Sequence, residues 1–171
     1  MHMEKTALIA MSGGVDSSVA AYLTVKSGYK CMGTTMRLYR NEDLGLCNFH
    51  TCCSQKDIDD ASEVAFNLDI PYEVLDFTFD FKNKIIDKFI STYEAGGTPN
   101  PCIDCNRFMK FDKLMGFAKE KQLDFVVTGH YARIDYINGR YLLKKARDLS
   151  KDQSYVLYSL TQEQLAHTLF P

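Results

Sequence analysis

Two hydrophobic patterns alternate along this chain. Thr6 to Met11 (TALIAM) is a short, nearly unbroken apolar run, as in a strand covered on both faces, and Asp16 to Ser27 then sets Val19, Ala20 and Leu23 at helical spacing. Gly28 follows as a C-terminal cap. Lys30 to Tyr39, rich in Thr and Met, reads as a second strand, and Asp57 to Leu68 as a helix on Ile58, Ala61, Val64, Ala65 and Leu68. Tyr72 to Phe77 is a third strand. Phe79 to Ala95 is a long amphipathic helix whose Phe79, Phe81, Ile85, Ile86, Phe89 and Ile90 are expected in the core. Gly96-Gly97-Thr98-Pro99-Asn100-Pro101 breaks the pattern, helix is expected to resume over Phe108 to Lys121, and Asp124 to Thr128 is a fourth buried strand. Tyr131 to Ala146 pivots on Asn138-Gly139, a strong hairpin signal. Repeated βα units predict an α/β fold with a doubly wound, mostly parallel sheet and a β-hairpin toward the C-terminus, the sheet being incomplete where the sequence stops at Phe170-Pro171.

Composition narrows the class. A length of 171 residues with 46% apolar and 25% charged side chains suits one folded domain, taken as residues 4–171, and excludes a disordered or collagen-like chain. Met1-His2-Met3 reads as an expression remnant ahead of a second start. No apolar run approaches the ~18 residues of a membrane span, and no secretory segment opens the chain. A soluble, cytoplasmic protein with no membrane partner is expected, so the six cysteines point to thiol or metal chemistry and not to a disulfide scaffold. Net charge is −2, yet Arg107 to Lys151 hold eleven Lys or Arg against five acids. Such a segment is either the footprint of a polyanion such as nucleic acid or a solvated helix face.

The candidate chemistry begins between the first strand and the first helix, at Ser12-Gly13-Gly14-Val15-Asp16-Ser17-Ser18. Small residues there admit backbone N–H groups to an anion, the helix N-terminus adds positive potential, and Ser17 and Ser18 are expected to add hydroxyl donors. The loop lacks the Lys of a GxxxxGK[ST] motif and the spacing of GxGxxG. The plainer reading is a tight βα turn with Asp16 as helix cap.

SGGVDSS resembles the pyrophosphate loop of the N-type ATP pyrophosphatases, the PP-loop enzymes of adenine nucleotide alpha hydrolase-like fold, which cleave ATP between the α and β phosphates and adenylate an oxygen. Three further stretches, Thr98-Pro99-Asn100-Pro101-Cys102-Ile103-Asp104-Cys105-Asn106, Thr128-Gly129-His130-Tyr131-Ala132-Arg133 and Lys151-Asp152-Gln153-Ser154-Tyr155, are similar in order and spacing to the catalytic domain of the tRNA 2-thiouridylase family. That resemblance implies ATP and Mg2+ at Ala10, Met11, Ser12, Gly13, Gly14, Val15, Asp16, Ser17 and Ser18, with Met36 and Gly129 against the adenosine. It implies Cys105 as nucleophile, Asn100, Pro101 and Cys102 beside the target base, and Lys151, Asp152 and Gln153 on tRNA. The implied reaction adenylates O2 of the wobble uridine in the tRNA anticodon arm and replaces it by sulfur, with a protein sulfur donor. Thiolation of another tRNA base, or ATP and tRNA binding without turnover, are the alternatives. The chemistry is coherent, because a carbonyl oxygen leaves poorly and AMP leaves well, and a thiolate or persulfide is the natural sulfur nucleophile. The base must leave its stack to be reached.

Two departures stand out. Cys102 occupies the place of an Asp in better-known family members, so any role of that carboxylate is lost or passes to Asp104. The family's second cysteine, which carries the persulfide or forms a disulfide with the nucleophile, lies beyond Pro171, as do a small linking domain and a C-terminal β-barrel; the chain alone is expected to bind ATP and turn over slowly. Cys102 and Cys105 form a CxxC that suits a redox pair, half of a metal site, or two ligands of a 4Fe-4S cluster with a third ligand elsewhere. Cys47, His50, Cys52 and Cys53 could bind zinc, but adjacent Cys52 and Cys53 fit one metal poorly, and incidental thiols are expected. Cys31 is expected in the core. His130, at the end of the fourth strand, is either a site contact or a backbone-bonded scaffold residue.

Overall fold

The computed structural model describes residues 4–39 and 54–171. Cys47, His50, Cys52 and Cys53, and with them the zinc reading, lie outside the described residues. Five parallel strands form one sheet in the order β3-β2-β1-β4-β7: β1 Thr6–Ala10, β2 Lys30–Arg37, β3 Tyr72–Asp76, β4 Phe125–Val127 and β7 Thr168–Leu169. Strands β5 (Ala132–Ile137) and β6 (Arg140–Lys145) make a separate antiparallel hairpin, with Asn138 and Gly139 at the positive φ a two-residue turn requires. The doubly wound α/β expectation holds, and β7 is an addition. Two residues pairing with Val126 and Val127 are too few to leave a periodic trace.

Strand β1 shows why the sheet is covered on both faces. Ala7, Ile9 and Met11 enter one apolar cluster with Ala20 and Ala21 of helix α1 (Val15–Lys26) and Ala61 and Ala65 of α2 (Gln55–Asn67). Leu8, pointing the other way, joins Met36, Ile85, Met109, Leu114 and Val126 in a second cluster beneath the helices of residues 78–120. The chain winds outward from β1 to β2 and β3, then returns to place β4 on the other side of β1. The carboxyl edge between β1 and β4 is therefore the topological switch point where open α/β sheets bind ligands.

Three helical expectations need correction. In α1 the buried face is Ser17, Ala20, Ala21 and Thr24, while Val19 and Leu23 are exposed, because small side chains let this helix lie close to the sheet. The helix expected from Phe79 is α3 (Thr78–Phe81), a π-helical turn (Lys82–Ile86) and α4 (Asp87–Glu94). The wider turn rotates α4 relative to α3, so Ile85 is buried while Phe89 and Ile90 face outward, as does Phe79 before it. The helix expected to resume at Phe108 begins at Pro101, as α5 (Pro101–Asp104), a π-helical stretch (Cys105–Phe111) and α6 (Asp112–Glu120). Asn100 and Pro101, read as breakers, are its start: the Asn100 side chain accepts from the Cys102 and Ile103 amides, and Pro101 sits where a missing N–H costs nothing.

Candidate active site

The loop after β1 is braced on two sides by backbone. Gly13 has φ +73, and a Cβ there would stand 2.5 Å from the Asp57 carbonyl oxygen in the first turn of α2. A Cβ on Gly129, after β4, would stand 2.8 Å from the Asp16 carbonyl carbon and 2.9 Å from the Ser17 nitrogen. The two helix N-termini beside the loop differ. That of α2 is closed by a capping box between Ser54 and Asp57, whereas α1 has Gly14 at its N-cap position and no side-chain cap. Its first-turn amides and positive end are left for an anion.

Hydroxyl roles differ from expectation. Ser17, buried, donates from Oγ to the Gly14 carbonyl at 2.9 Å and accepts from the Ser12 amide at 3.1 Å; Ser18 Oγ donates to the same Gly14 carbonyl at 3.0 Å. Both set the loop's shape, and neither points a free hydroxyl at a ligand. Asp16 is no helix cap either. It lies within α1, and its Oδ1 accepts from the Tyr131 hydroxyl at 2.7 Å. Met11 is buried with its amide on the Thr34 carbonyl, and Val15 is exposed. Met36, expected against adenosine, is buried among Leu8, Leu38 and Met109, so its side chain is core; Ala10 packs on the same cluster.

Tyr131 ties the loop to residues 151–153. Its backbone N–H donates to Gln153 Oε1 at 3.0 Å, its carbonyl accepts from the Gln153 amide at 2.9 Å, and Lys151 Nζ stands 5.8 Å from its ring centroid. Asp152 turns inward, accepting from the Ala146 amide at 2.8 Å and Ser154 Oγ at 2.7 Å, bonds that hold its carboxyl below the usual range. Of residues 151–153, all expected on RNA, Lys151 is exposed, while Asp152 and Gln153 are half-buried and bonded within the turn.

His130 lines the candidate cleft, and the bond that fixes it is to a side chain and not to backbone: its Nδ1 shares 2.8 Å with Thr128 Oγ1, and its ring lies between Phe111 and Phe170. Burial, aided by the Lys110 charge, pushes its pKa down to about 3, so it is a neutral imidazole at pH 7. With Asp16, Gly129, Tyr131, Arg133 and Arg147 it lines a cleft of ≈ 620 Å³.

The cysteine segment lies against the other face of the sheet. Cys105 is half-buried and packs on the cluster that holds Ala10 and Met36, so the nucleophile candidate and the carboxyl ends of β1 and β2 share one apolar layer. Cys102 is exposed. Asp104 is paired with Lys88 Nζ at 2.8 Å, and Asn100, exposed, caps the first turn of α5 through its side-chain carbonyl. Asn106 is buried with Oδ1 lacking a hydrogen-bond partner, an arrangement that costs ~1–3 kcal/mol. Among the described residues no group of three His, Cys, Asp or Glu could hold a metal, so Cys102 and Cys105 stand as two donors. Cys31 is a core thiol whose pKa burial raises to about 11. The basic segment does not form one surface: Arg133 and Arg147 line the cleft, Lys113 pairs with Asp80 and Lys121 with Glu73, and Lys119 borders a hollow beside Asp124 and Phe125 at the opposite, amino edge of β4. No described helix is long and apolar enough to cross a membrane. Tyr131 and Lys88 carried no individual signal in the sequence; Tyr131 at least falls inside the Thr128 to Arg133 motif.

A family model described as the tRNA methyl transferase HUP domain matches residues 5–171. A protein of Clostridium kluyveri named tRNA-specific 2-thiouridylase MnmA is 49% identical over 169 residues, 99% of this chain and 48% of that protein. The protein of the same name from Clostridioides difficile is 51% identical over 173 residues, covering 100% of this chain and 48% of its own length. The chain thus spans about half the length of these curated relatives. A solved structure, of a predicted subunit of tRNA methyltransferase from Methanocaldococcus jannaschii, superposes with TM-score 0.51 at 18% identity over 99% of this chain and 68% of the other, a likeness of fold alone.

Proposed function

This chain belongs to the tRNA methyl transferase HUP domain family, and on that premise we propose that it is the nucleotide-using catalytic domain of a tRNA 2-thiouridylase, the name its relatives at 49% and 51% identity carry. The observation that carries the reading is the uncapped N-terminus of α1 at the switch point of the sheet, braced by Gly13 and Gly129 and bonded through Asp16 and Tyr131 to the turn bearing Lys151. An ATP triphosphate fits there: the first-turn amides of α1 face its charge, and the space a Cβ would fill beside Gly13 and Gly129 is already taken by backbone, so the loop is held to shape before the ligand arrives. Bound Mg2+ would offset phosphate charge, with the Asp16 carboxylate as the acid at hand.

In this reading the wobble uridine O2 attacks the α-phosphorus, pyrophosphate leaves, and the carbonyl oxygen becomes an AMP ester that sulfur can displace. Cys105 carries that sulfur as the outer atom of a persulfide loaded by a donor protein. The outer sulfur attacks C2, AMP leaves, and a second thiol then takes the Cys105 sulfur into a disulfide and frees the 2-thiouridine, the disulfide being reset by a thiol reductant. Exposed Cys102 lies one helical turn before Cys105. Lys88 holds Asp104, so the carboxylate nearest the cysteines is a paired anion and orients this turn. Lys151, Arg133 and Arg147 face the RNA backbone. For a 4Fe-4S cluster the described residues offer two thiols and no third ligand beside them, and no step is derived through one.

The test is incubation of the chain, alone and within a full-length version, with ATP, Mg2+, a sulfur donor and unmodified tRNA, read by nucleoside mass spectrometry and pyrophosphate release. Thiouridine at the wobble position supports the reading. RNA-independent pyrophosphate release, or sulfur on another base, refutes it.

A further inference from the structure

The segment Gly129 to Tyr131 touches both halves of the proposed site. Gly129 lies against the Asp16 backbone, and the Tyr131 hydroxyl donates to Asp16 Oδ1 at 2.7 Å. On its other side the Tyr131 main chain is closed onto Gln153 by two hydrogen bonds of 3.0 and 2.9 Å, and Lys151 stands over its ring at 5.8 Å. Asp152, bonded to the Ala146 and Ser154 amides, fastens the turn to the end of the hairpin, so residues 151–153 follow Tyr131 as a unit. Asp16 and Tyr131 lie 115 positions apart in the chain, and their bond is the side-chain link from the loop toward this turn.

We propose that Tyr131 is a positioning residue that couples nucleotide on the α1 loop to RNA on the Lys151 turn, so that each ligand strengthens binding of the other. This rests on the function proposed above. Without ligands, the Asp16 carboxylate is engaged by the phenol and the Lys151 ammonium by the face of its ring. Mg2+–triphosphate draws on the Asp16 carboxylate and loosens the phenol; RNA phosphate draws Lys151 from the ring. The two contacts share one side chain, so losing either frees Tyr131 to shift and slackens the other; whichever ligand arrives second meets a contact already loosened, which is positive coupling. The Asp16 carboxylate also pushes the Tyr131 phenol above its usual range, keeping it a donor across the neutral region.

The experiment measures dissociation constants of Mg2+–α,β-methylene ATP, which resists cleavage, with and without saturating unmodified tRNA transcript. It is run on the wild-type chain, on Tyr131→Phe, which removes only the hydroxyl, and on Gln153→Leu, which removes the opposite bond. Wild type is expected to bind the nucleotide about 5-fold tighter with RNA present, and both variants are expected to lose that ratio whatever their separate affinities. A merely structural tyrosine would lower the melting temperature and leave the ratio alone. Tyr131→Phe or Gln153→Leu that keeps the ratio overturns the inference. A wild-type chain that binds both ligands independently overturns it and leaves the proposed function standing; a chain that binds neither overturns both.

Discussion

Gly129→Ala isolates what the loop's close packing does. The new methyl would sit 2.8 Å from the Asp16 carbonyl carbon and 2.9 Å from both the Asp16 oxygen and the Ser17 nitrogen. Relaxed carbon contacts lie near ~3.5–4.0 Å, so the first turn of α1 must retreat by about 0.6 Å or more. All three atoms are backbone, so no side chain can rotate away. Overpacking of this kind costs about 1–3 kcal/mol, which for a chain of this size lowers the melting temperature by roughly 2–4 °C per kcal/mol. The same retreat moves the amides that would meet the triphosphate, and a ~1 Å misplacement can cost about 100-fold in a preorganised site. A loss of about 10-fold or more in nucleotide affinity is therefore expected, measured by titration with the uncleavable analogue beside thermal melts. Gly28→Ala is the control: it has φ +84 and no atom within 4 Å, so it should cost about 1 kcal/mol of strain and leave nucleotide affinity unchanged. Gly129→Ala with undiminished nucleotide affinity would refute the argument that this close approach shapes the anion site.

The same geometry sets other outcomes. Gly116, inside α6 with nothing within 4 Å of a would-be Cβ, should tolerate Ala and gain about 0.5–1 kcal/mol, seen as a higher denaturation midpoint. His130 has a folded pKa near about 3 against an ordinary 6.5, so the unfolded chain binds the extra proton first; its contribution is complete above the ordinary value and is lost as pH falls toward the folded one. Stability should decline below pH ~6.5 by up to about 1.4 kcal/mol per unit, and His130→Asn should flatten that slope in chemical denaturation at pH 4–7. Cys105→Ser should retain RNA-dependent pyrophosphate release and abolish thiouridine in the nucleoside profile; thiolation by that variant would move the nucleophile elsewhere. Asp16→Ala should abolish that pyrophosphate release while the chain stays folded by circular dichroism.

Much of this architecture is legible in the residues because burial on two faces leaves a blunt signature. TALIAM can hardly be anything but a covered strand, and Ile58, Ala61 and Ala65 lie on the buried stripe their spacing announces. What escapes is written in longer-range terms. Asn100-Pro101 looks like punctuation because the same two residues that stop an incoming helix also start an outgoing one. Exposed Phe79, Phe89 and Ile90 look like core until the wide turn between them is seen. In the site, the glycine-rich loop announces itself by composition, but the duties of its serines do not, since both hydroxyls are spent on the Gly14 carbonyl. The contact between Asp16 and Tyr131 depends on β4 folding back beside β1, a fact of topology that no local window contains.

The seven residues from Cys105 to Phe111 are wound more loosely than an ordinary helix, each backbone bond reaching one residue further. A chain that lost a single residue here could close up into regular helix without breaking, yet everything upstream would swing by about 100° relative to Met109 and Phe111. The thiols at 102 and 105 would then look out on a different part of the molecule while the core beneath stayed intact. Among homologues, insertions and deletions in this short stretch should therefore be rarer than its tolerance of amino-acid exchange would suggest, because length here sets the aim of the sulfur.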